Sequence, residues 1–186
     1  MKIAETGFWQ GNDTDKHHAF DTALANELSV LFKDKSVIDY GCGQGKYVEL
    51  FNNKDIIAIG YDGNPDTENI KDCQRQDLTK NFYPSPLFDS VLSLEVGEHI
   101  PKELTAKYIV NLKRVKPELI VLSWAIPGQG GDGHVNELPN EEVIKMFSEY
   151  EYDAETSQHL RNAATLWWFK NTIMVFKSSR QAHNKG

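Results

Sequence analysis

Cysteine is scarce in this chain: its 186 residues include two, Cys42 and Cys73. That excludes a disulfide framework as the main source of stability. The pair reads as reduced thiols of a cytoplasmic protein, with one bridge between them as the alternative. Long apolar runs are missing as well. None approaches the roughly 20 residues of a membrane-spanning helix, and Met1 to Gln10 lacks the apolar stretch of a secretory signal. Basic residues are few: 20 Lys and Arg stand against 27 Asp and Glu, for a formal net charge of −7. Lys170, Lys177, Arg180 and Lys185 are scattered near the carboxyl end and read as a solvated face and tail. A protein that follows a long phosphate backbone carries a basic stripe, so neither a long nucleic acid nor a membrane is an expected partner. Repeats, low-complexity tracts and linkers are also absent. The length fits one domain with a sizeable core, over residues 1–186.

What is present is concentrated in Val37-Ile38-Asp39-Tyr40-Gly41-Cys42-Gly43-Gln44-Gly45. An apolar strand meets three alternate glycines, and Lys46 to Asn53 can follow as a helix. Strand, glycine turn and helix form a nucleotide site at the carboxyl edge of a parallel sheet, because glycine lets the backbone bend sharply and approach a ligand. Spacing narrows the choice. Gly41 and Gly45 are one residue too close for a phosphate-cradling loop, and Tyr47 stands where that loop needs a metal-binding hydroxyl. Lys46 stands where a dinucleotide fingerprint needs a small residue. A second apolar strand, Ile56 to Asp62, ends in an acid suited to ribose hydroxyls, and Gly63-Asn64-Pro65 turns the chain. Cys73 to Leu78 reads as a third strand with its Asp77, and Phe88 to Glu95 as a fourth.

These segments, in this order, resemble the motifs of the class I S-adenosylmethionine-dependent methyltransferases over roughly residues 35–177. The resemblance implies an α/β fold: a Rossmann-like, seven-stranded, mostly parallel sheet with an antiparallel carboxyl-terminal strand and helices on both faces. It implies an amino-terminal lid and helix over 1–34, a catalytic core over 35–177 and a tail over 178–186. S-adenosylmethionine is the implied cofactor, with S-adenosylhomocysteine as product. Asp39 would orient the glycine turn and accept from the methionine ammonium, beside Gly41, Cys42, Gly43 and Gly45. Asp62 would hold the ribose, with Gly63 and Asn64 next to it. Asp77, flanked by Gln76 and Leu78, would meet the adenine amino group. Leu94, Glu95 and Val96 would lie beside the methyl group.

Two further clusters bear on chemistry. Glu95-Val96-Gly97-Glu98-His99 follows strand four. It is similar to a segment of the small-RNA 2′-O-methyltransferases, in which two acids and a His bind a divalent metal with a later His. Here Glu95, Glu98, His99 and His134 would be the ligands; the preferred reading has no metal, with the segment shaping a hydrogen-bonded pocket. Gly128 to Asn136 is too rich in glycine to be a core element. Its His134 is the first candidate for a general base, since an unperturbed imidazole titrates near neutrality; Glu98 and His99 are the second. Asn136, Trp124, Trp9 and His18 are candidates for holding the acceptor. The expected reaction is methyl transfer to an oxygen or nitrogen of a small polar molecule. The alternatives are a metal-assisted enzyme acting on a nucleotide or RNA end, and a non-catalytic cofactor-binding interaction protein.

Elsewhere, Asp13-Thr14-Asp15 can cap a helix running to about Phe32. Further helices are expected from Pro101 to about Arg114 and from Asn140 to Tyr150, and a fifth strand over Leu119 to Trp124. Tyr152 to Leu160, Leu166 to Phe169 and Thr172 to Phe176 read as strands from their aromatic and β-branched content.

Overall fold

The computed structural model describes residues 2–10, 18–84 and 88–179. Strand β1 (Lys2–Ile3) and strand β2 (Trp9–Gln10) form a small antiparallel hairpin. Strand β3 (Val37–Tyr40), buried along its length, lies inside a seven-stranded sheet. It runs parallel to β4 (Ala58–Asp62) on one side and β6 (Ser90–Ser93) on the other. Strand β5 (Cys73–Arg75) extends the sheet beyond β4, and β7 (Leu119–Leu122) pairs with β6. Strand β9 (Met174–Ser178) is antiparallel to both its neighbours, β7 and β8 (Tyr150–Tyr152). The order is β5-β4-β3-β6-β7-β9-β8. The expected sheet, mostly parallel with an antiparallel carboxyl-terminal strand, is the one the chain forms. Strand order reverses between β3 and β6, and the carboxyl ends there diverge around a crevice.

Alternation along β3 feeds two cores, since successive strand side chains point to opposite faces. Val37 joins one with Leu24, Leu28, Val48, Phe51 and Leu160. These come from α1 (Thr22–Leu31), α2 (Lys46–Asn52) and α5 (Ala154–Ala163). Ile38 joins the other with Tyr108 and Leu112 of α3 (Thr105–Arg114), Val143 of α4 (Asn140–Met146), and Phe147.

The expected cap at residues 13–15 lies outside the described residues. The described helix α1 starts at Thr22, and Asp21 caps it by accepting from the Leu24 amide at 3.1 Å. The other Asp21 oxygen accepts from the Thr165 and Leu166 amides at 2.6 and 2.8 Å, tying this helix to the carboxyl-terminal third.

Two strand expectations are corrected. Over Tyr152 to Leu160 the strand ends at Tyr152; Asp153 accepts from the Thr156 amide at 3.0 Å and starts α5. Leu166 to Phe169 is no strand either, because β9 already has a partner on each side. Leu166, Trp168 and Phe169 instead pack on the first core around the short helix α6 (Phe169–Thr172). Trp167 and Trp168 therefore do not alternate across a sheet.

Candidate active site

A cavity of about 370 Å³ opens at the carboxyl ends of the central strands. Gly41 enters it with φ of +84°, and a Cβ there would meet the Val96 side chain at 2.2 Å. At Gly43 a Cβ would meet the His18 ring at 2.5 Å. The turn is thus glycine-rich because the opposite wall is already close. Asp62 holds the turn in place: its Oδ2 accepts from the Gly43 amide at 3.0 Å and its Oδ1 from the Asn64 amide at 2.8 Å. Asp39 lies beneath, 3% exposed, with an Oδ2 that has no hydrogen-bond partner. Burial, and then the nearby Asp62 carboxylate, push its pKa up to about 8. Asp77 accepts from the Thr79 amide and hydroxyl at 2.9 and 2.7 Å, and its Oδ2 accepts from the Thr6 hydroxyl at 3.0 Å. Of the residues expected at the cofactor, Gly43, Gly45 and Gln76 stand outside the cavity wall. Gly45 N-caps α2 from the left-handed region, and the Gln76 amide donates to the Asp62 carbonyl at 2.7 Å.

The far end of the cavity starts at Glu95, a non-glycine residue with φ of +52°. Its amide donates to Ser123 Oγ at 2.9 Å, and its carboxylate accepts from Gln129 Nε2 at 2.6 Å and from Thr172 Oγ1 at 3.5 Å. Burial raises the Glu95 pKa. Glu98 is fully buried, and neither carboxylate oxygen has a hydrogen-bond partner. Burial, then the Glu95 charge, hold its pKa well above the usual carboxylate range. His99 is neutral above a pKa of about 4, lowered chiefly by burial and then by His134. The His99 ring meets the edges of Trp9 and His134, with centroids 5.2 and 4.9 Å apart. His134 Nδ1 lies 3.0 Å from Glu137 Oε1, and its Nε2 lies 4.0 Å from Glu98 Oε1. One ligand atom each from Glu98, His99 and His134 falls within a 4.8 Å group. Among the described residues Glu95 is not part of that group; its oxygens face Gln129 and Thr172.

Trp9 and His18, both candidates for holding the acceptor, line the cavity with ring centroids 5.1 Å apart, while His17 lies outside the described residues. The expectation that Trp124 and Asn136 touch the acceptor is corrected. Trp124 Nε1 donates to the Asn136 carbonyl at 2.7 Å, and Asn136 Nδ2 donates to Thr105 Oγ1 at 2.9 Å. Both are buried behind the wall, where they tie the segment that follows the glycine-rich loop to the chain just beyond β7 and to the start of α3.

Several wall residues escape sequence reasoning. Thr6 and Phe8 reach the cofactor end from the hairpin: a Cβ on Gly63 would meet the Phe8 ring at 2.3 Å. Trp167, Trp168 and Asp132 line the cavity too. Glu137 organises the loop, accepting from the Gly128 and Gly130 amides at 2.7 and 2.8 Å. Its pKa is lowered by the His134 bond first. The one signal for Glu137 was an acid three residues beyond His134 in a glycine-rich loop.

A strand order of this kind, with a crevice at its reversal and a glycine turn at the crevice, is that of the class I methyltransferase fold. The model of the methyltransferase-domain family matches residues 14–172, and the chain belongs to that family. The tRNA (carboxymethyluridine(34)-5-O)-methyltransferase alkbh8 of Xenopus tropicalis is 26% identical over 160 residues, which is 80% of this chain. The match spans 23% of that relative's length. The magnesium protoporphyrin IX methyltransferase ChlM of Synechocystis, solved with bound S-adenosylhomocysteine, is similar in structure with a TM-score of 0.65 at 15% identity. That similarity covers 83% of this chain and 82% of the other. The sugar N-methyltransferase KedS8 of a Streptoalloteichus species matches with a TM-score of 0.64 at 14% identity, over 96% and 98% of the two chains. At such identities the likeness is one of fold.

Proposed function

We propose that the chain transfers the methyl group of S-adenosylmethionine to an oxygen or nitrogen of a small polar acceptor. The carrying observation is one continuous cavity with Asp39, Gly41 and Asp62 at one end and His99, His134 and Trp9 at the other. The bound cofactor would supply a sulfonium, which already makes a good leaving group. The residues then have to position the pair and dispose of a proton. Asp62, held by two backbone amides, suits the ribose hydroxyls, and the unpaired Asp39 oxygen suits the methionine ammonium. Glu137 favours the His134 tautomer with the proton on Nδ1, which leaves Nε2 as an acceptor. The two cysteines are free and buried, consistent with a cytoplasmic protein. Among the described residues no helix is long and apolar enough to cross a membrane.

Calorimetry with S-adenosylmethionine and S-adenosylhomocysteine tests this reading. Binding is expected for the wild type, and Asp62→Ala is expected to weaken it by about 1.5–3 kcal/mol while the folded circular-dichroism spectrum persists. A folded wild type that binds neither molecule overturns the reading. Binding with no turnover of any acceptor would favour the non-catalytic interaction protein.

A second reading rests on Glu98. A fully buried carboxylate with two unpartnered oxygens is costly, and the imidazoles of His99 and His134 lie beside it. One carboxylate and two imidazoles form a donor set for a divalent transition metal. These residues would hold the ion, which would supply a Lewis acid beside an acceptor hydroxyl. Manganese titrated into the protein should then bind with a stoichiometry near one, and Glu98→Gln should abolish it. Full turnover after thorough chelation removes this reading.

A further inference from the structure

Asp77 stands just beyond β5, and both it and Thr6 of the amino-terminal hairpin line the cavity. Strand β5 lies beside β4, on the side away from β3. With the ribose at Asp62 and the methionine ammonium at Asp39, the base, joined to the far side of the ribose, falls at Asp77. Thr6 is 71 positions away in the chain, yet its hydroxyl donates to Asp77 Oδ2 at 3.0 Å. Oδ1 accepts from the Thr79 amide and hydroxyl. The Thr79 bonds fix one oxygen and leave the carboxylate free to swing about it; the Thr6 bond fixes its plane. A carboxylate oxygen accepts about two hydrogen bonds. Among the described residues Oδ2 accepts from Thr6 alone, so it can take one more. Both partners are anchored. Gly7 sits against the His99 main chain and Phe8 against Gly63, while the Gln76 side chain donates to the Asp77 carbonyl at 2.9 Å.

Resting on the methyltransferase reading above, we infer that Thr6 is a positioning residue for base recognition: its hydroxyl turns Asp77 so that Oδ2 accepts from the exocyclic amino group of adenine. A carboxylate accepts and does not donate. It therefore selects a base that presents an amino group over one that presents a carbonyl at the same atom, whose oxygen would face the carboxylate with no proton between them. Setting the carboxylate in advance removes a rotational choice that binding would otherwise have to make. The hairpin thereby takes part in choosing the nucleoside as well as in covering it.

The test is calorimetry on the full chain with S-adenosylhomocysteine and S-inosylhomocysteine. The second differs only in the carbonyl that replaces the amino group and in the proton this places on N1. The wild type is expected to prefer the adenine compound at least about tenfold. Thr6→Val keeps the shape and removes the hydroxyl. Its carboxylate can swing to the N1 proton instead, so the ratio is expected to shrink severalfold, and Thr6→Ser should keep it. A merely structural loss would weaken both ligands alike, so an unchanged ratio in Thr6→Val overturns the inference. So does a wild type that binds the two equally. If Thr6→Val binds neither, Thr6→Ser decides: a wild-type ratio supports the role of the hydroxyl, and a collapsed one overturns it. A folded wild type that binds neither molecule sinks the underlying methyltransferase reading instead.

Discussion

Asp39 holds a proton that it would lose in water. Its pKa of about 8 comes from burial, with the Asp62 carboxylate adding to it. The unfolded carboxyl titrates near 3.9, so between about pH 4 and 8 the ligand-free folded chain binds a proton that the unfolded chain does not. With a folded pKa above the unfolded one, this residue's contribution to stability is full below about pH 4 and falls as pH rises toward 8. A cofactor ammonium arriving beside it favours the ionised form. Binding at pH 7 is therefore expected to release about one proton, measurable by calorimetry in buffers of different ionisation enthalpy. Affinity should rise with pH and flatten above about 8, and Asp39→Asn should abolish the release. A wild type that releases no proton would mean that the cofactor leaves Asp39 untouched. His99 titrates too low, at about 4, to contribute to this profile near neutrality.

Strands β1 and β2 are short and exposed to intermediate, yet the turn between them closes over both ends of the site. The turn is held by the Ala4 amide on the Phe8 carbonyl and the Gly7 amide on the Ala4 carbonyl, each at 2.9 Å. Gly7 sits at φ of +98°, and a Cβ there would fall 2.1 Å from the His99 carbonyl oxygen. Gly7→Ala therefore faces both a strained backbone and a clash with main chain, a local cost of about 1–3 kcal/mol. Hydrogen exchange should show lost protection over residues 2–10 with β3 unchanged. Unaltered protection would show that the hairpin has room to shift. This element was not legible in the sequence: two residues per strand give no periodicity, and the contacts of Thr6 with Asp77 and Phe8 with Gly63 join residues remote in the chain. The strands around the glycine turn were legible, because β3 alternates and ends in its motif. Tyr152 to Phe169 misled, since aromatic content signals burial more reliably than conformation. There Asp153 caps α5 and α6 folds onto the core, while β9 takes the sheet position beside β7.

Across the whole molecule, two separate cores clamp the sheet, and the antiparallel strand β9 contributes to both. Phe176 faces the second core, fully buried, with its ring stacked on Phe147 at 4.7 Å between centroids. Val175 faces the first. Phe176→Ala is expected to destabilise the fold by about 3–5 kcal/mol, combining lost transfer energy with the cavity left behind. Urea denaturation of the ligand-free chain measures this. A loss under 1 kcal/mol would mean that the core around Phe147 collapses to fill the space. The molecule's net charge of −7 acts at the same scale: it sets no part of the fold, but it favours cationic visitors over anionic ones.

By itself the sequence determined the parallel sheet, the glycine turn and the acids at the strand ends, because strand periodicity and glycine spacing act over a few neighbouring residues. It also singled out Glu98, His99 and His134 as candidates. Only the tertiary structure decided which of these meet. It brought His134 within 4.0 Å of Glu98, turned Trp124 and Asn136 away into the wall, and set Trp167 and Asp132 at the cavity. Such pairings depend on where a loop of glycines and a short helix come to rest against distant elements, and that is settled by packing across the whole chain.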